Sequence, residues 1–413
     1  MLKIIIEIII TCLLLSPQLM FTKTILVGNS EAVKTIREAL KLSNNGDIIK
    51  LTGDIYHEHD LIIEKQIKLI GVNFPILNGS KKTGIILVKA DNVLISGIYF
   101  KDSGMSFVKD YAAVKLDSVA NCTIKNNKFD NNFFGIYLGK SWNCTISGNE
   151  IKSSKKTQTY SGNGIHLWYC KNIIIENNIV EGHRDGIYLE FVRNSKIVKN
   201  VSHSNLRYGL HFMFSDSCEY SYNRFEHNSA GVAVMFTHHV NMNNNVFQNN
   251  WGDASYGLLL KDITDGKISN NKFIRNTCGI YIEGSNRNTV KNNSFESNGW
   301  AIRLMANSMD NIFTHNNFIS NSFEVTTNSI RNFNTFEKNY WSDYQGYDID
   351  NDGIGEVPHH PVKLFSLIVE QNRSTLLLLR SFFVELLDAA EKIFPVITPE
   401  TLIDKYPLMS MIK

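Results

Sequence analysis

The chain has 413 residues, 43% of them apolar and 20% charged, with a formal net charge of +2. This composition excludes an intrinsically disordered chain, which buries too little apolar surface to offset its ordering entropy. It offers no strongly basic face of the kind that binds a phosphate backbone, so no nucleic-acid partner is expected.

At the amino terminus Lys3 precedes an almost unbroken apolar run from Ile4 to Leu15, interrupted by Glu7 and closed by Ser16-Pro17. One early cation and a run too short to span a bilayer describe an export signal, assigned to residues 1–22. Ser30 is placed to N-cap a helix with Val33, Ile36 and Leu40 on one face, which would cover the open edge of the first strands. Coils are expected to begin at "GDIIKLTGDIY", 46–56. Five cysteines lie beyond the leader, at 122, 144, 170, 218 and 278, and an odd, scattered set is not a disulfide framework.

From Cys122 onward the sequence repeats with a period near 22. One anchor is Asn followed two residues later by Phe or an aliphatic residue, as at Asn127, Asn149, Asn178, Asn223, Asn245, Asn271, Asn293 and Asn316, with Trp341 taking that place after Asn339. The other is Gly-apolar-x-apolar, at Gly135, Gly164, Gly186, Gly209, Gly231, Gly257 and Gly279. Pairs such as Leu210/Phe212 and Val232/Val234 alternate with mixed residues, so each repeat carries short strands with one buried face. Stacked in phase about 4.8 Å apart, such strands make an all-β fold, a right-handed parallel β-helix. Asparagines at one phase would form amide ladders that satisfy the turns. Residues 24–120 are assigned to the cap and first coils, and 121–345 to the central repeats.

Phase also assigns faces. The second residue after each glycine points outward, giving a column that includes Tyr137, His166, Tyr188, His211 and Arg303. The fourth gives Trp168, Glu190, Met213, Met235, Lys261, Glu283 and Met305. A solvent-facing sheet does not need tryptophan and three methionines, so this face is expected to be covered or used. His211 and Met213 share a strand face, Met235 stacks on Met213, and His238 and His239 occupy the next turn, with His203 and His227 in flanking turns. Imidazole and thioether donors suit Cu(I), which makes His211, Met213, Met235, His238 and His239 the candidate copper ligands, unless the methionines only fill a protein contact. Cys122, Cys144 and Cys218 share an inward column, and Met242 is likewise assigned to the core. Insertions at 153–162 and 249–255 fall on one edge of the solenoid and bracket the candidate coils.

After Trp341 the repeat stops, and residues 346–413 form a separate terminal segment. In "YDIDNDGIGE", Asp348, Asp350 and Asp352 alternate before Gly353, the first half of a calcium loop, with His359 where its twelfth-position glutamate would be. Helices are expected over 363–371 and 374–394, ended by Pro395 and Pro399. The second is apolar on too many sides to stand alone, yet Arg380, Glu385, Asp388 and Glu391 forbid a bilayer span, so it should dock.

"GHRDGIYLEF", "RYGLHFMFSD", "GVAVMFTHHV" and "YGLLLKDITD", with the later "DGIGE" and "AEKIFPVI", resemble the NosD family of β-helical accessory proteins in nitrous oxide reductase maturation. The resemblance spans about residues 24–410. It implies a periplasmic subunit seated on an ABC transporter made of a NosF-type ATPase and a NosY-type membrane protein. It further implies copper taken from a NosL-type chaperone and inserted into apo nitrous oxide reductase, with the C-terminal helices anchoring to the membrane subunit. A polysaccharide lyase or epimerase on the same scaffold would instead need a carboxylate, a base and a cation in one groove, and Asp185, Glu190, Lys261 and Glu283 are spread over several coils. A passive adhesin is the remaining alternative.

Overall fold

Each repeat folds into one coil of three short strands, and every strand pairs in parallel with its copies in the coils on either side. The computed structural model describes residues 22–329, 331–394 and 401–412. Among these, the strands form three sheets of 14, 12 and 13 members that run the length of the solenoid as a parallel β-helix. The export signal and the helix-ending Pro395 and Pro399 fall outside the described residues, except for the signal's last residue.

Register obeys the phase of the sequence. In the 12-stranded sheet Leu210 pairs with Val232 and Phe212 with Val234, all buried, while His211 pairs with Ala233 and Met213 with Met235 on the outer face. Inside, Phe225, Phe247, Phe273, Phe295, Phe318 and Trp341 stack with ring centroids 4.1–5.6 Å apart. The anchor asparagines form the expected ladder. Asn223, for example, donates Nδ2–H to Ile197 O at 2.8 Å and to Asn245 Oδ1 at 3.0 Å. The ladder runs from Asn127 to Asn339 and ends on the Asp404 carboxylate, which accepts from Asn339 Nδ2 at 3.1 Å. A second ladder, Asn205–Asn228–Asn250–Asn276–Asn298–Asn321, lines another corner. All five described cysteines are free and buried, and Met242 is core, as their phase requires.

The ends depart from expectation. Thr24–Val27 is already a strand in register with Ile48–Leu51, so the first coil begins before residue 46. The cap helix α1 spans Ile36–Leu42 with Thr35, not Ser30, as its N-cap; Thr35 Oγ1 accepts from Glu38 N at 3.2 Å. Val33 is drawn into a bridge with Val27 and takes no part in the helix. At the other end α2 spans Leu364–Gln371, close to expectation. The second helix is divided: a 3-10 turn over Arg373–Leu378 precedes α3, Phe382–Ile393. These elements dock on the solenoid through Phe365, Val369 and Val384 around Phe323, and Glu370 grips Arg303 at 2.7 and 2.8 Å.

Candidate metal centre

The 12-stranded sheet presents its outer face between three inserted loops and the docked helices. The loops at 153–162 and 249–255 both lead into strands of this sheet, on its entry edge, and Gln158 reaches from the first to Leu206 O at 3.1 Å. A third insertion, at 102–111, enters the same sheet and went unread in the sequence. With Asp60 and Lys115 it lines a cavity of about 400 Å³.

On the exit edge of this face lie Met213 and Met235, register partners on adjacent strands and both partly exposed. Glu190 pairs with Met213 and Lys261 with Met235, so the thioethers are flanked by one charge of each sign along the column. Three and four residues past Met235, His238 and His239 stand exposed in the turn to the next sheet. His238 N–H donates to Asp216 Oδ1 at 2.9 Å, and its ring Nδ1 contacts Thr264 Oγ1 at 2.7 Å. His239 sits in the left-handed region at φ 56°. The structure thus brings the two methionines together and sets the two histidines in the turn that leaves their strand.

His211 is a correction. Its strand position faces outward, but the ring is only 3% exposed, so it is not on an open face beside Met235. Tyr188 and Tyr208 pack against it with centroids 4.9 and 4.8 Å away. Its Nδ1 lies 3.5 Å from Oδ2 of the fully buried Asp185. The same carboxylate oxygen is 3.9 Å from Arg184 Nε and from Arg207 Nη1, so two guanidinium groups flank the buried carboxylate. Other members of the outward columns are also covered: Tyr137, Leu259, Arg303 and Met305 are buried by neighbouring coils and by α2. His203 and His227 lie at the entry end of the sheet's strands, away from His238. His203 contacts Ser204 and Glu181, and His227 contacts Asn249.

Next to the methionine column stands a feature that sequence reasoning missed. Tyr169, Phe191, Phe214 and Phe236, each the fifth residue after a repeat glycine, all have φ of 50–54° and stack in sequence at the corner. Their centroids are 4.5, 5.2 and 5.0 Å apart and their planes within 23° of one another. The signal was present in the dipeptides Trp168-Tyr169, Met213-Phe214 and Met235-Phe236.

The acidic loop is partly as expected. Asp348 and Asp350 converge with Glu356, their carboxylates within 4.8 Å of one another. Asp352 instead turns back on the loop, its Oδ1 accepting from Ile354 N at 2.8 Å, so Glu356 takes the place expected of it. His359 binds Glu324 Oε2 at 2.8 Å.

The family model described as "Periplasmic copper-binding protein (NosD)" matches residues 22–159 and 153–346. A protein of Pseudomonas aeruginosa named "Probable ABC transporter binding protein NosD" is 27% identical over 354 residues, covering 81% of this chain and 82% of its own length. Its namesake in Stutzerimonas stutzeri is 27% identical over 346 residues, covering 79% and 78%. Among solved structures, the Family 28 exopolygalacturonase of Yersinia enterocolitica superposes with a TM-score of 0.62 at 11% identity over 76% of this chain and 78% of its own. The A-module of the Azotobacter vinelandii mannuronan C-5 epimerase AlgE4 gives 0.52 at 13% identity, over 73% and 88%. At such identities the enzymes share the coil architecture alone.

Proposed function

Because the chain belongs to the NosD family of periplasmic copper-binding proteins, we propose that it holds Cu(I) in transit at Met213 and Met235 and delivers it to apo nitrous oxide reductase. The relatives named for binding an ABC transporter support a seat on such a transporter, with a NosF-type ATPase and a NosY-type membrane subunit and with copper supplied by a NosL-type chaperone. Copper is cargo in this reading, and the chain is a carrier rather than an enzyme.

The observation that carries the reading is the register pair Met213/Met235 at the partly exposed exit edge of the outer face. Two thioethers on adjacent parallel strands stand about 4.8 Å apart at the backbone, within reach of one soft ion. Thioethers are neutral and soft, so they favour Cu(I) over hard divalent ions and carry no proton to displace. His238 or His239 supplies an imidazole from the adjoining turn. His211, covered on the outer face by Tyr188 and Tyr208, is not proposed as a ligand.

No helix among the described residues is long and apolar enough to cross a membrane. The C-terminal helical segment nevertheless leaves Leu377, Phe382, Phe383, Leu386 and Ile393 exposed, an apolar face suited to the transporter's membrane subunit. The Asp348/Asp350/Glu356 group is proposed to take Ca²⁺ as a structural clasp. The delivery role is tested in a strain lacking this gene: nitrous oxide reductase purified from it should be copper-deficient and inactive. Reductase with its full copper complement would overturn the assignment.

A further inference from the structure

At the corner beside the methionine pair, one turn position is aromatic in four successive coils: Tyr169, Phe191, Phe214 and Phe236. In the coils on either side it is Lys140, Asp262 or Gly284, all with the same left-handed backbone. The turn therefore requires positive φ but not a ring. Asp and Gly adopt that conformation readily, whereas a bulky aromatic residue is strained there. The rings do not recover that cost in the core, since Tyr169, Phe214 and Phe236 are 52%, 41% and 39% exposed. Single aromatic residues at positive φ also occur at Phe74 and Tyr222, so what sets this corner apart is that four follow one another in stacked, part-exposed succession.

The stacking decides what kind of partner fits. Each interior ring covers the faces of its neighbours, with planes 9–23° apart, so the ladder offers the solvent ring edges rather than faces. A sugar or a nucleobase needs a free face on which to stack, and a ridge of edges instead packs against aliphatic and methionine side chains of a protein. Lys140 continues the ridge's own column and Lys171 and Arg193 stand on its flank, all exposed and none in an ion pair among the described residues, while the next flank residue, Asp216, already accepts from His238 N. Their charge calls for acidic groups around the partner's apolar patch.

We propose that this aromatic ridge is the docking surface for the protein that accepts copper from Met213 and Met235, through an apolar patch rimmed by acidic residues. The inference rests on the copper reading. A Cu(I) ion passes between polypeptides by ligand exchange, which requires the acceptor's donor atoms to reach the same ion while the thioethers still hold it. The acceptor must then cover the corner adjoining the methionine column. Neutral thioethers yield the ion to imidazole or thiolate donors, so the occupant is the recipient and not the source.

The test uses apo nitrous oxide reductase as the probe and the full-length mature chain. Two variants are compared with wild type, Phe191→Asn/Phe214→Asn and Lys171→Glu/Arg193→Glu; asparagine keeps the left-handed turn. Copper-free binding is measured at low and high salt, and Cu(I) uptake and thermal melting separately. Both variants should melt and bind Cu(I) as wild type does while losing at least tenfold in affinity for the reductase, and the charge variant should also lose salt dependence. Wild-type affinity and transfer rate in both variants, or no binding by wild type, would overturn the docking surface. If wild type docks and the variants do not, but none takes up Cu(I), the docking surface stands and the copper reading fails.

Discussion

Nδ1 of His211 lies 3.5 Å from Oδ2 of Asp185, and the carboxylate has no exposure to solvent. The other Asp185 oxygen accepts only a long bond, 3.3 Å, from Tyr208 N. A buried carboxylate this sparsely bonded depends on the positive groups beside it. His211→Ala removes one of its neighbours and opens space under Tyr188 and Tyr208, and should cost roughly 1–3 kcal/mol of stability. Cu(I) stoichiometry should be unchanged, as measured by competition with a chelator; a loss of one equivalent would return His211 to the ligand set.

His183 occupies a corner position that other coils give to asparagine, its N–H bonded to Asn205 Oδ1 at 3.1 Å. Its ring is fully buried, and burial outweighs a backbone contact at Gly162 to push its pKa down from 6.5 to about 4. The unfolded chain therefore binds a proton between these values that the folded chain does not. Stability is retained above pH 6.5 and lost as the pH falls toward 4, by ~3 kcal/mol at one pKa unit per 1.36 kcal/mol. His183→Asn should flatten this dependence, seen as a smaller drop in melting temperature between pH 7.5 and pH 5. An unchanged drop would place the acid sensitivity elsewhere.

Asp404 terminates the main amide ladder. Its carboxylate accepts from Lys338 N, Asn339 N, Asn339 Nδ2 and Trp341 Nε1 at 3.0–3.1 Å. Asp404→Ala leaves these donors unsatisfied at the open end of the stack and should cost ~3 kcal/mol or more. Amide exchange should rise first in the last coil, around Phe336 to Trp341, with the central coils still protected.

The Arg303–Glu370 bridge holds α2 to the sheet. Arg303 is 6% exposed, so Glu370→Ala strands a buried cation and should weaken docking by roughly 3–5 kcal/mol. Limited proteolysis should then cut between residues 372 and 381 while leaving the solenoid intact. Resistance equal to wild type would show that Phe365, Val369 and Val384 suffice.

Register was legible because two signals repeat together: the period-two alternation of Leu210/Phe212 and its copies, and the in-phase asparagines that become the ladder. Exposure was not legible from phase. His211 and Met213 share a face, yet one is sealed by Tyr188, Tyr208 and Asp185, contacts that strand alternation does not encode. A cap helix was legible, but its start was set too early, because Ser30 and Thr35 offer the same capping chemistry and only the bridge from Val33 to Val27 decides between them. The aromatic ridge was overlooked because its residues sit in turns, where apolar periodicity is not sought. Glu356 was missed because the calcium-loop template counts positions, whereas the folded loop brings in a side chain from farther along.

The most direct measurement of the central claim is an anaerobic Cu(I) titration of wild type against Met213→Leu/Met235→Leu, with a chromophoric chelator as competitor. Leucine preserves volume and apolar character and removes only the sulfur donors. The two proteins should melt alike, and the variant should lose the exchangeable Cu(I) equivalent that wild type binds. Equal stoichiometry and affinity in the two proteins would contradict the assignment of copper to this pair.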